Sequence, residues 1–422
     1  MNTSIITTTL SCGMPLVCEV LPGVRSAAVC WLLPCGPAQD PPGLDGLSAM
    51  WSELLLRGAG ELSSRQFADA LDTLGVGRSA STGTYTLAIG ATMLGARLDA
   101  ALPYLADMVL RPRMDEQGIE PARDLCLQAI ESLKDDPRER AVLGARARHL
   151  PDPINRSGLG SVEGLKAMTR DDLVGRWKGM GRPGGSVLGV AGAVDPAAIA
   201  RRMDELLAGW SGRTEEPGTG AAAPRGYAHE IDQTNQVQVI VMHDAPADGP
   251  ERDGVESRDA LLERIVLSVL SGGMSGRLFS EVREKRGLCY AVQAGYRGDR
   301  TYGSVSAYVG TTPERAQESL EVLLAELDRI NTPAGRVTPE EFQRALIGFK
   351  SGLVFSGEST SARASAIAGD TRRLGRARSL GEIADRLDSI TLDEVNAYLA
   401  RRRLGALTIQ TLGPAPLNPP MR

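Results

Sequence analysis

The sequence predicts an α+β protein of two homologous domains, each a mostly antiparallel sheet with helices on one face. The length of 422 residues, 42% hydrophobic and 23% charged, is typical of a globular protein with more than one domain. Segments of strand and helix character follow the same order in each half of the chain. Between the halves, the stretch Ser211 to Gly226 is rich in Gly, Pro and Ala and has no apolar period. We place a linker at 214–226, an N-terminal domain at 1–213 and a C-terminal domain at 227–422.

The order of elements repeats between the two halves. Each half opens with an extended apolar segment, continues with a helix, an alternating strand and long helices, and ends in a β-rich stretch. The matching segments are Ala27–Leu33 with Val237–Val241, Thr84–Ile89 with Ser304–Val309, Met168–Leu173 with Ile390–Val395, and Ser186–Ala191 with Leu407–Thr411. In the third pair, a threonine followed by acids predicts a helix N-cap. One repeat per half chain indicates duplication, because solenoid repeats run roughly 20–50 residues.

Composition gives no support to several classes of function. A net charge of -5 gives no reason to expect a nucleic acid or a membrane as partner. No apolar run approaches the roughly 20 residues of a membrane helix. The N-terminal segment has no basic start followed by an apolar core, so we expect a cytoplasmic protein, or a periplasmic one if a signal has been removed. The six cysteines form no CxxC pair and are expected to be reduced, mostly packed thiols.

Histidine is too scarce for a histidine-based metal site. The chain has three, His149, His229 and His243, and no two are spaced to share a helix face. A zinc site built on imidazoles is therefore not expected in this chain.

The segment from Asp45 to Gly60 predicts a buried amphipathic helix, with Asp45 as N-cap and Gly58 as C-terminal stop. The apolar stripe at helical spacing consists of Leu47, Met50, Trp51, Leu54 and Leu55. A second face carries Ala49, Ser52 and Glu53, at the spacing i, i+3, i+4.

The run from Asp40 to Gly58 resembles the pitrilysin/insulinase-type zinc peptidases, the inverzincins, whose helix carries H-x-x-E-H in this frame. In that motif two imidazoles one turn apart hold zinc, and the glutamate is the general base. The positions of the first histidine, the glutamate, the second histidine and the later glutamate ligand fall on Ala49, Ser52, Glu53 and Ala129. The resemblance therefore implies a helix that has lost its metal site. Taken without the resemblance, the segment is an ordinary core helix, in which Glu53 could still face a cavity.

A second motif, from Leu270 to Val292, is close to the signature of the C-terminal domain in the same family. It carries Arg283 and Tyr290, seven positions apart across a predicted helix-to-strand turn. The family's Arg and Tyr at this spacing bind the substrate backbone and stabilise the oxyanion, a task suited to preorganised donors. The alternative is that Arg283 caps helix carbonyls and Tyr290 is strand packing. The glycine-rich start of the motif lacks the phosphate-loop pattern.

The resemblance, which runs from Leu10 to Gly413, implies the non-catalytic subunit of a bacterial heterodimeric zinc peptidase. Such a subunit forms a bowl-shaped half of a chamber around a peptide or unfolded polypeptide. It would be inactive alone, with Arg283 and Tyr290 acting on the zinc site of a homologous partner that carries H-x-x-E-H. Zinc would belong to that partner.

Two other functions stay open at this point. The first is a purely structural or peptide-binding pseudopeptidase, like the core subunits of respiratory complexes that share the fold. The second is a self-sufficient enzyme, which needs a Ser–His–Asp or Cys–His set. Ser275 and Cys289 are candidate nucleophiles, but neither has a recognisable histidine partner in the sequence.

Overall fold

A computed structural model describes residues 4–251 and 254–420. The strands in chain order are β1 (Ser4–Thr9), β2 (Pro15–Val20), β3 (Ser26–Leu33), β4 (Gly77–Thr82), β5 (Leu87–Leu94), β6 (Val187–Gly192), β7 (Gly226–Ile231), β8 (Val237–Ala245), β9 (Cys289–Gly298), β10 (Gly303–Thr311) and β11 (Thr408–Gly413). The α-helices are α1 (Leu47–Leu54), α2 (Ser64–Leu74), α3 (Leu98–Leu110), α4 (Glu116–Glu131), α5 (Pro137–His149), α6 (Val162–Ala167), α7 (Arg170–Met180), α8 (Pro196–Leu206), α9 (Arg258–Ser271), α10 (Ala316–Arg329), α11 (Pro339–Gly357), α12 (Thr360–Leu374), α13 (Leu380–Asp388) and α14 (Leu392–Arg401). No described helix is long and apolar enough to cross a membrane.

Two sheets with the same strand order form the framework. The first runs β1-β2-β6-β3-β5-β4 and the second runs β7-β11-β8-β10-β9. In each, one parallel pair, β2–β6 or β7–β11, interrupts an otherwise antiparallel ladder. Apart from β1, the strands correspond one to one, as a duplication requires. The predicted two-domain α+β fold is confirmed.

The chain forms two compact units that exchange segments. The first unit contains the residues up to 132, together with 152–221 and 355–379. The second contains 133–151, 222–354 and the residues from 380 onward. The linker predicted at 214–226 stays a prediction. The outer ends of the two predicted domains, residues 1–3 and 421–422, lie outside the described residues.

One exchanged helix covers the second face of each sheet. In the first unit, Ala364, Ile367 and Ala368 of α12 pack on β2, β3 and β6. In the second unit, Ala141 and Ala145 of α5 pack on β8 and β11. Both helices meet their sheet through alanines four positions apart, which lets the backbones approach closely. The sequence prediction of helices on one face thus describes the larger helical layer and misses this single helix.

Close packing of α12 requires a glycine in the sheet below it. A Cβ atom on Gly189 of β6 would lie 2.5 Å from the carbonyl oxygen of Ala364 and 2.8 Å from the Cβ of Ala368. Any larger residue would push the helix off the sheet, since interiors are packed without such gaps.

Two local predictions are wrong. The strand predicted at Thr84–Ile89 begins at Leu87, because Gly83 to Thr86 form the turn between β4 and β5. Helix α1 spans Leu47–Leu54, so neither Asp45 nor Gly58 marks its ends. The predicted N-caps Thr169 and Thr391 are confirmed, each accepting a backbone N–H of the following helix.

Candidate functional site

Helix α1 is anchored at its start by a buried carboxylate. Asp40, only 2% exposed, accepts hydrogen bonds from the backbone N–H of Gly46 at 2.9 Å and of Ser48 at 3.1 Å. It thereby provides the cap predicted for Asp45. Burial raises the pKa of Asp40 to about 7. The hydrogen bonds from Gly46 and Ser48 stabilise the charged form and so oppose this rise. The helix orientation is thus fixed by a group outside the helix.

The apolar stripe of α1 orients its second face. The predicted stripe residues Leu47, Met50, Trp51 and Leu54 are all buried. Trp51 donates its indole N–H to the carbonyl oxygen of Leu173 at 3.1 Å. With one face held in the core, Ala49, Ser52 and Glu53 are directed toward helix α4 and strand β4.

A cavity of about 330 Å³ lies where the sequence places the lost metal site. We call it the α1 cavity. It is lined by Ala49, Ser52, Glu53, Ser81, Thr82, Leu125, Cys126, Ala129, Gly158 and Leu159. All four positions that the resemblance assigns to metal ligands and general base therefore meet in one place. This agrees with the alignment of this segment with H-x-x-E-H.

The donor groups of the α1 cavity do not fit zinc. Two lining residues, Glu53 and Cys126, carry groups that ligate zinc, fewer than the three or four of zinc sites. Burial, reinforced by the charge of Glu53, raises the pKa of the Cys126 thiol to about 11, so the thiol stays protonated at neutral pH. Among the residues that the structure describes, no cluster of three His, Cys, Asp or Glu could hold a metal ion.

Arg283 lies on an irregular helix in the second unit. Phe279–Glu284 form a π-helix, in which the backbone N–H of Lys285 bonds to the oxygen of Ser280 five residues back. Single π-turns occur often at functional sites. Val282 is buried, while Arg283 is exposed with its guanidinium carbon 4.9 Å from the centroid of the Phe279 ring. Val282 thus anchors this helix in the core, and the Arg283 side chain lies at the surface.

The turn after the π-helix depends on one glycine. Gly287 adopts a φ of 60° and donates its N–H to the oxygen of Arg283 at 2.9 Å. Such left-handed residues end helices and are usually glycine. The chain then enters β9 two residues later, with Cys289.

A β-bulge sets the direction of Tyr290. Gly310 pairs with Ala291 and Thr311 pairs with Cys289, so Tyr290 is the extra residue. Bulges redirect side chains and are common next to active sites. Cys289 and Val292 pack on the core face of the sheet, whereas Ala291 packs with Tyr308 on the opposite face. Tyr290 belongs to that opposite face and is 45% exposed. Strict alternation along β9 would instead place Tyr290 on the core face, with Val292.

Several polar residues that the sequence did not predict lie near Tyr290. Its hydroxyl donates to the amide oxygen of Gln236 at 2.5 Å, and the hydroxyl of Tyr308 donates to that of Gln238 at 2.8 Å. Arg138 of α5 stacks on the Tyr308 ring at 4.5 Å. Burial, together with the adjacent Tyr290 hydroxyl, raises the pKa of Tyr308. No motif links these positions, so the sequence carried no signal for them.

Arg283 and Tyr290 have different partners. Burial raises the pKa of the Cys289 thiol, and the Arg283 guanidinium opposes that rise. Arg283 is therefore close to the residue that precedes Tyr290. In this structure Arg283 stacks on Phe279 and Tyr290 donates to Gln236.

Neither the Cys289 thiol nor a buried Thr–His–Asp series is suited to hydrolysis. Cys289, with its raised pKa, is a poor nucleophile. Thr408, His149 and Asp244 form a Ser–His–Asp-like series, with 3.0 Å from Thr408 Oγ1 to His149 Nδ1 and 3.5 Å from Nε2 to Asp244. Thr408 is 0% and His149 1% exposed, so no substrate reaches them. This series holds α5 on the second sheet.

Comparison with known families decides the broader classification. The profile of Insulinase (Peptidase family M16) matches residues 17–152, and that of the Peptidase M16 inactive domain matches residues 167–349. The chain belongs to peptidase family M16. The resemblance to pitrilysin/insulinase-type peptidases is thereby confirmed.

Bacterial M16 relatives match over nearly the whole chain. A protein of Streptomyces coelicolor named an uncharacterized zinc protease is 28% identical over 415 residues, covering 96% of this chain and 89% of the relative. One of Mycobacterium tuberculosis with the same description is 29% identical over 413 residues, covering 95% and 92%.

Solved structures show the same M16 fold. A Pseudomonas fluorescens structure described as a peptidase M16 inactive domain has a TM-score of 0.84 at 18% identity, covering 99% of this chain and 100% of that one. A Helicobacter pylori protease has a TM-score of 0.82 at 16% identity, covering 97% and 99%. A chain of Complex III2 from Candida albicans has a TM-score of 0.80 at 14% identity, covering 97% and 96%. At these identities the likeness concerns the fold alone.

Proposed function

We propose that this chain is the zinc-free subunit of a heterodimeric M16 peptidase. It binds the peptide and supplies Arg283 and Tyr290 to the zinc site of a homologous subunit carrying H-x-x-E-H. Zinc and the general base belong to that partner. Alone, the chain carries no zinc and cleaves no peptide. We expect the pair to act in the cytoplasm.

The observation that carries the proposal is the contrast between two groups of residues. Ala49, Ser52, Glu53 and Ala129 meet in a cavity without a zinc donor set. Arg283 and Tyr290 are exposed donors, each placed beside an irregular backbone feature of a kind that is frequent at functional sites.

The two side chains suit the stabilisation of a negative oxygen. A guanidinium keeps its charge at all relevant pH values and offers several N–H donors in a fixed plane. The Tyr290 hydroxyl already acts as a donor, to the neutral oxygen of Gln236. When a peptide carbonyl oxygen becomes negative during hydrolysis, it is a stronger acceptor than that amide. Donors of this kind typically contribute about 3–4 kcal/mol to transition-state stabilisation.

Reconstitution with the zinc-bearing homologue that co-purifies with the chain tests the proposal. We expect Arg283→Ala and Tyr290→Phe each to lower kcat by roughly 10²–10³ without preventing assembly. Arg286→Ala is the matched control, because Arg286 is exposed in the same motif and pairs with Glu281. Full activity of both variants in an intact heterodimer would remove Arg283 and Tyr290 from the active site.

A structural or peptide-binding pseudopeptidase is the second candidate. It is favoured by the internal partners of both residues, Phe279 for Arg283 and Gln236 for Tyr290. Co-purification with a membrane complex in place of a peptidase subunit would support it. In that case neither substitution changes any peptidase activity.

A further inference from the structure

The α1 cavity has a chemical character of its own. Its wall is largely apolar or uncharged, with Leu125, Leu159 and Ala129 beside the hydroxyl residues Ser81 and Thr82 of β4. Glu53 is the one charged side chain among the described lining residues. Its volume of about 330 Å³ lies at the lower end of the roughly 300–1,000 Å³ of ligand sites. It is therefore large enough for one long side chain.

Glu53 has no hydrogen bond or ion pair within the described part of the chain. The hydroxyl of neighbouring Ser52 is directed away, donating to the carbonyl oxygen of Ala49 at 2.7 Å. Arg123 of α4 donates to the carbonyl oxygens of Leu165 and Met168.

Arg57 is the other cation near the cavity. Like Arg123, it opposes the rise in the pKa of Cys126, but it is not among the lining residues. Glu53 thus provides negative charge at a cavity wall without an internal countercharge in contact.

Such an arrangement favours a cationic occupant. An apolar side chain in the cavity would separate the Glu53 carboxylate from water without replacing its hydrogen bonds, which is unfavourable. A metal ion finds too few donors there. An ammonium or guanidinium group donates to the carboxylate, while its aliphatic stem packs on the leucines and alanines.

We propose that the α1 cavity binds the basic side chain, lysine or arginine, of a peptide. The peptide nature of the ligand rests on the proposed function. Because the cavity lies entirely within the first unit, binding needs neither the partner nor Arg283 and Tyr290. A site that bound metal in related chains would here select substrates by charge.

Peptide binding to the isolated full-length chain tests the proposal. The probe is a capped alanine hexapeptide with one central lysine and a dye at its C-terminal end, followed by fluorescence anisotropy. Parallel probes carry arginine, norleucine or citrulline at that position. An uncapped alanine peptide distinguishes a free α-amino group from a basic side chain. We expect lysine and arginine probes to bind roughly tenfold more tightly than their neutral counterparts.

Two variants locate the effect. Glu53→Gln keeps the shape and should abolish the preference for basic probes. Asp124→Asn is the matched control, since Asp124 is exposed on α4, outside the cavity lining, and the net charge changes equally. Ala129→Leu fills the cavity and should weaken binding of lysine and arginine probes while Glu53 remains.

The outcomes are decisive in either direction. Equal binding of lysine and norleucine probes, an unchanged preference in Glu53→Gln, or preference only for the uncapped alanine peptide would overturn the proposal. Thermal unfolding identifies a variant that fails to fold, in which case the remaining variant and the neutral probes still decide. Activity of Arg283→Ala in the heterodimer addresses the proposed function separately and leaves these results unaffected.

Discussion

The α1 region of the first unit and the Arg283–Tyr290 region of the second are built on sheets with the same strand order, yet their backbones differ. In the first, an ordinary α-helix presents small side chains and Glu53 to a cavity. In the second, a π-helix and a β-bulge present two long donor side chains to solvent. Irregular backbone of this kind is frequent at functional sites, whereas a regular core helix is not a sign of function. The contrast is the one that the proposed division of roles between the two regions requires.

Restoring the metal ligands would give the α1 region a chemical function again. We expect the combined variant Ala49→His, Ser52→Glu, Glu53→His and Ala129→Glu to bind zinc stoichiometrically, because all four positions line one cavity. Zinc content after dialysis, measured by atomic emission, gives the result. The same variant lacking Ala129→Glu should bind more weakly. Absence of zinc in the folded four-residue variant would contradict the equivalence of these positions.

Each unit also contains a buried Arg–Glu pair, and the two pairs differ in what they join. Arg363 of α12 binds Glu19 of β2 at 2.7 Å, from 344 positions later in the chain. Arg402 binds Glu263 of α9 at 2.6 Å, within the same half. We expect Arg363→Met to lower the free energy of unfolding by about 3–5 kcal/mol, since it leaves Glu19 buried and uncompensated. Urea denaturation measures this.

A double variant separates lost charge pairing from lost packing. Glu19→Gln combined with Arg363→Met should recover much of the stability, since no buried charge remains. If the single variant is as stable as the parent, α12 is not held by this pair.

Buried titratable groups give the two units opposite pH dependence. Burial, with Arg402 nearby, lowers the pKa of His243 from 6.5 to about 4, so between these values the unfolded chain binds more protons and stability falls with acidification. This difference corresponds to about 3 kcal/mol at most. Asp40, whose pKa is raised to about 7, acts in the other direction, lowering stability as pH rises from about 4 to 7.

Urea midpoints at pH 4.5 and 6.5 test this contrast. His243→Gln should reduce the loss of stability on acidification, and Asp40→Asn should increase it. Identical pH profiles for both variants and the parent would show that neither group titrates as its burial predicts.

The smallest expected effect concerns the orientation of Tyr290. Gln236→Ala removes the acceptor of the Tyr290 hydroxyl and should lower kcat of the reconstituted peptidase roughly fivefold, the equivalent of one hydrogen bond. KM should change little, because Gln236 orients Tyr290 rather than the peptide. Gln233→Ala, an exposed residue of the same segment, is the control. A larger loss in the control than in Gln236→Ala would argue against this positioning role.

The sequence predicted the parts that depend on local patterns. The apolar stripe of α1, the threonine caps and the order of strands follow from spacing and residue type. It did not predict features that depend on distant contacts. The bulge at Tyr290 arises from pairing with Gly310 and Thr311, and the cap of α1 comes from Asp40 outside the helix.

The side chains around the two candidate regions were also not predictable from local sequence patterns. Ala49, Ser52, Glu53 and Ala129 could be brought together only through the family frame, because 76 positions separate Glu53 from Ala129 in the chain. Gln236, Gln238 and Arg138 near Tyr290 carry no motif at all. Side-chain networks across a sheet are set by register, which a single sequence does not reveal.

The exchanged helices have a consequence for synthesis of the chain. The first sheet has all its strands once β6 has emerged, but the helix that covers its second face is α12, which begins 360 − 192 = 168 residues after β6 ends. Until then Val17, Cys30 and Val187 have no helix over them. At roughly 5–20 residues per second, translation leaves this apolar face open for about ten seconds or more. We expect nascent chains ending before Thr360 to need protection by chaperones, and the two halves, expressed separately, to fold only together.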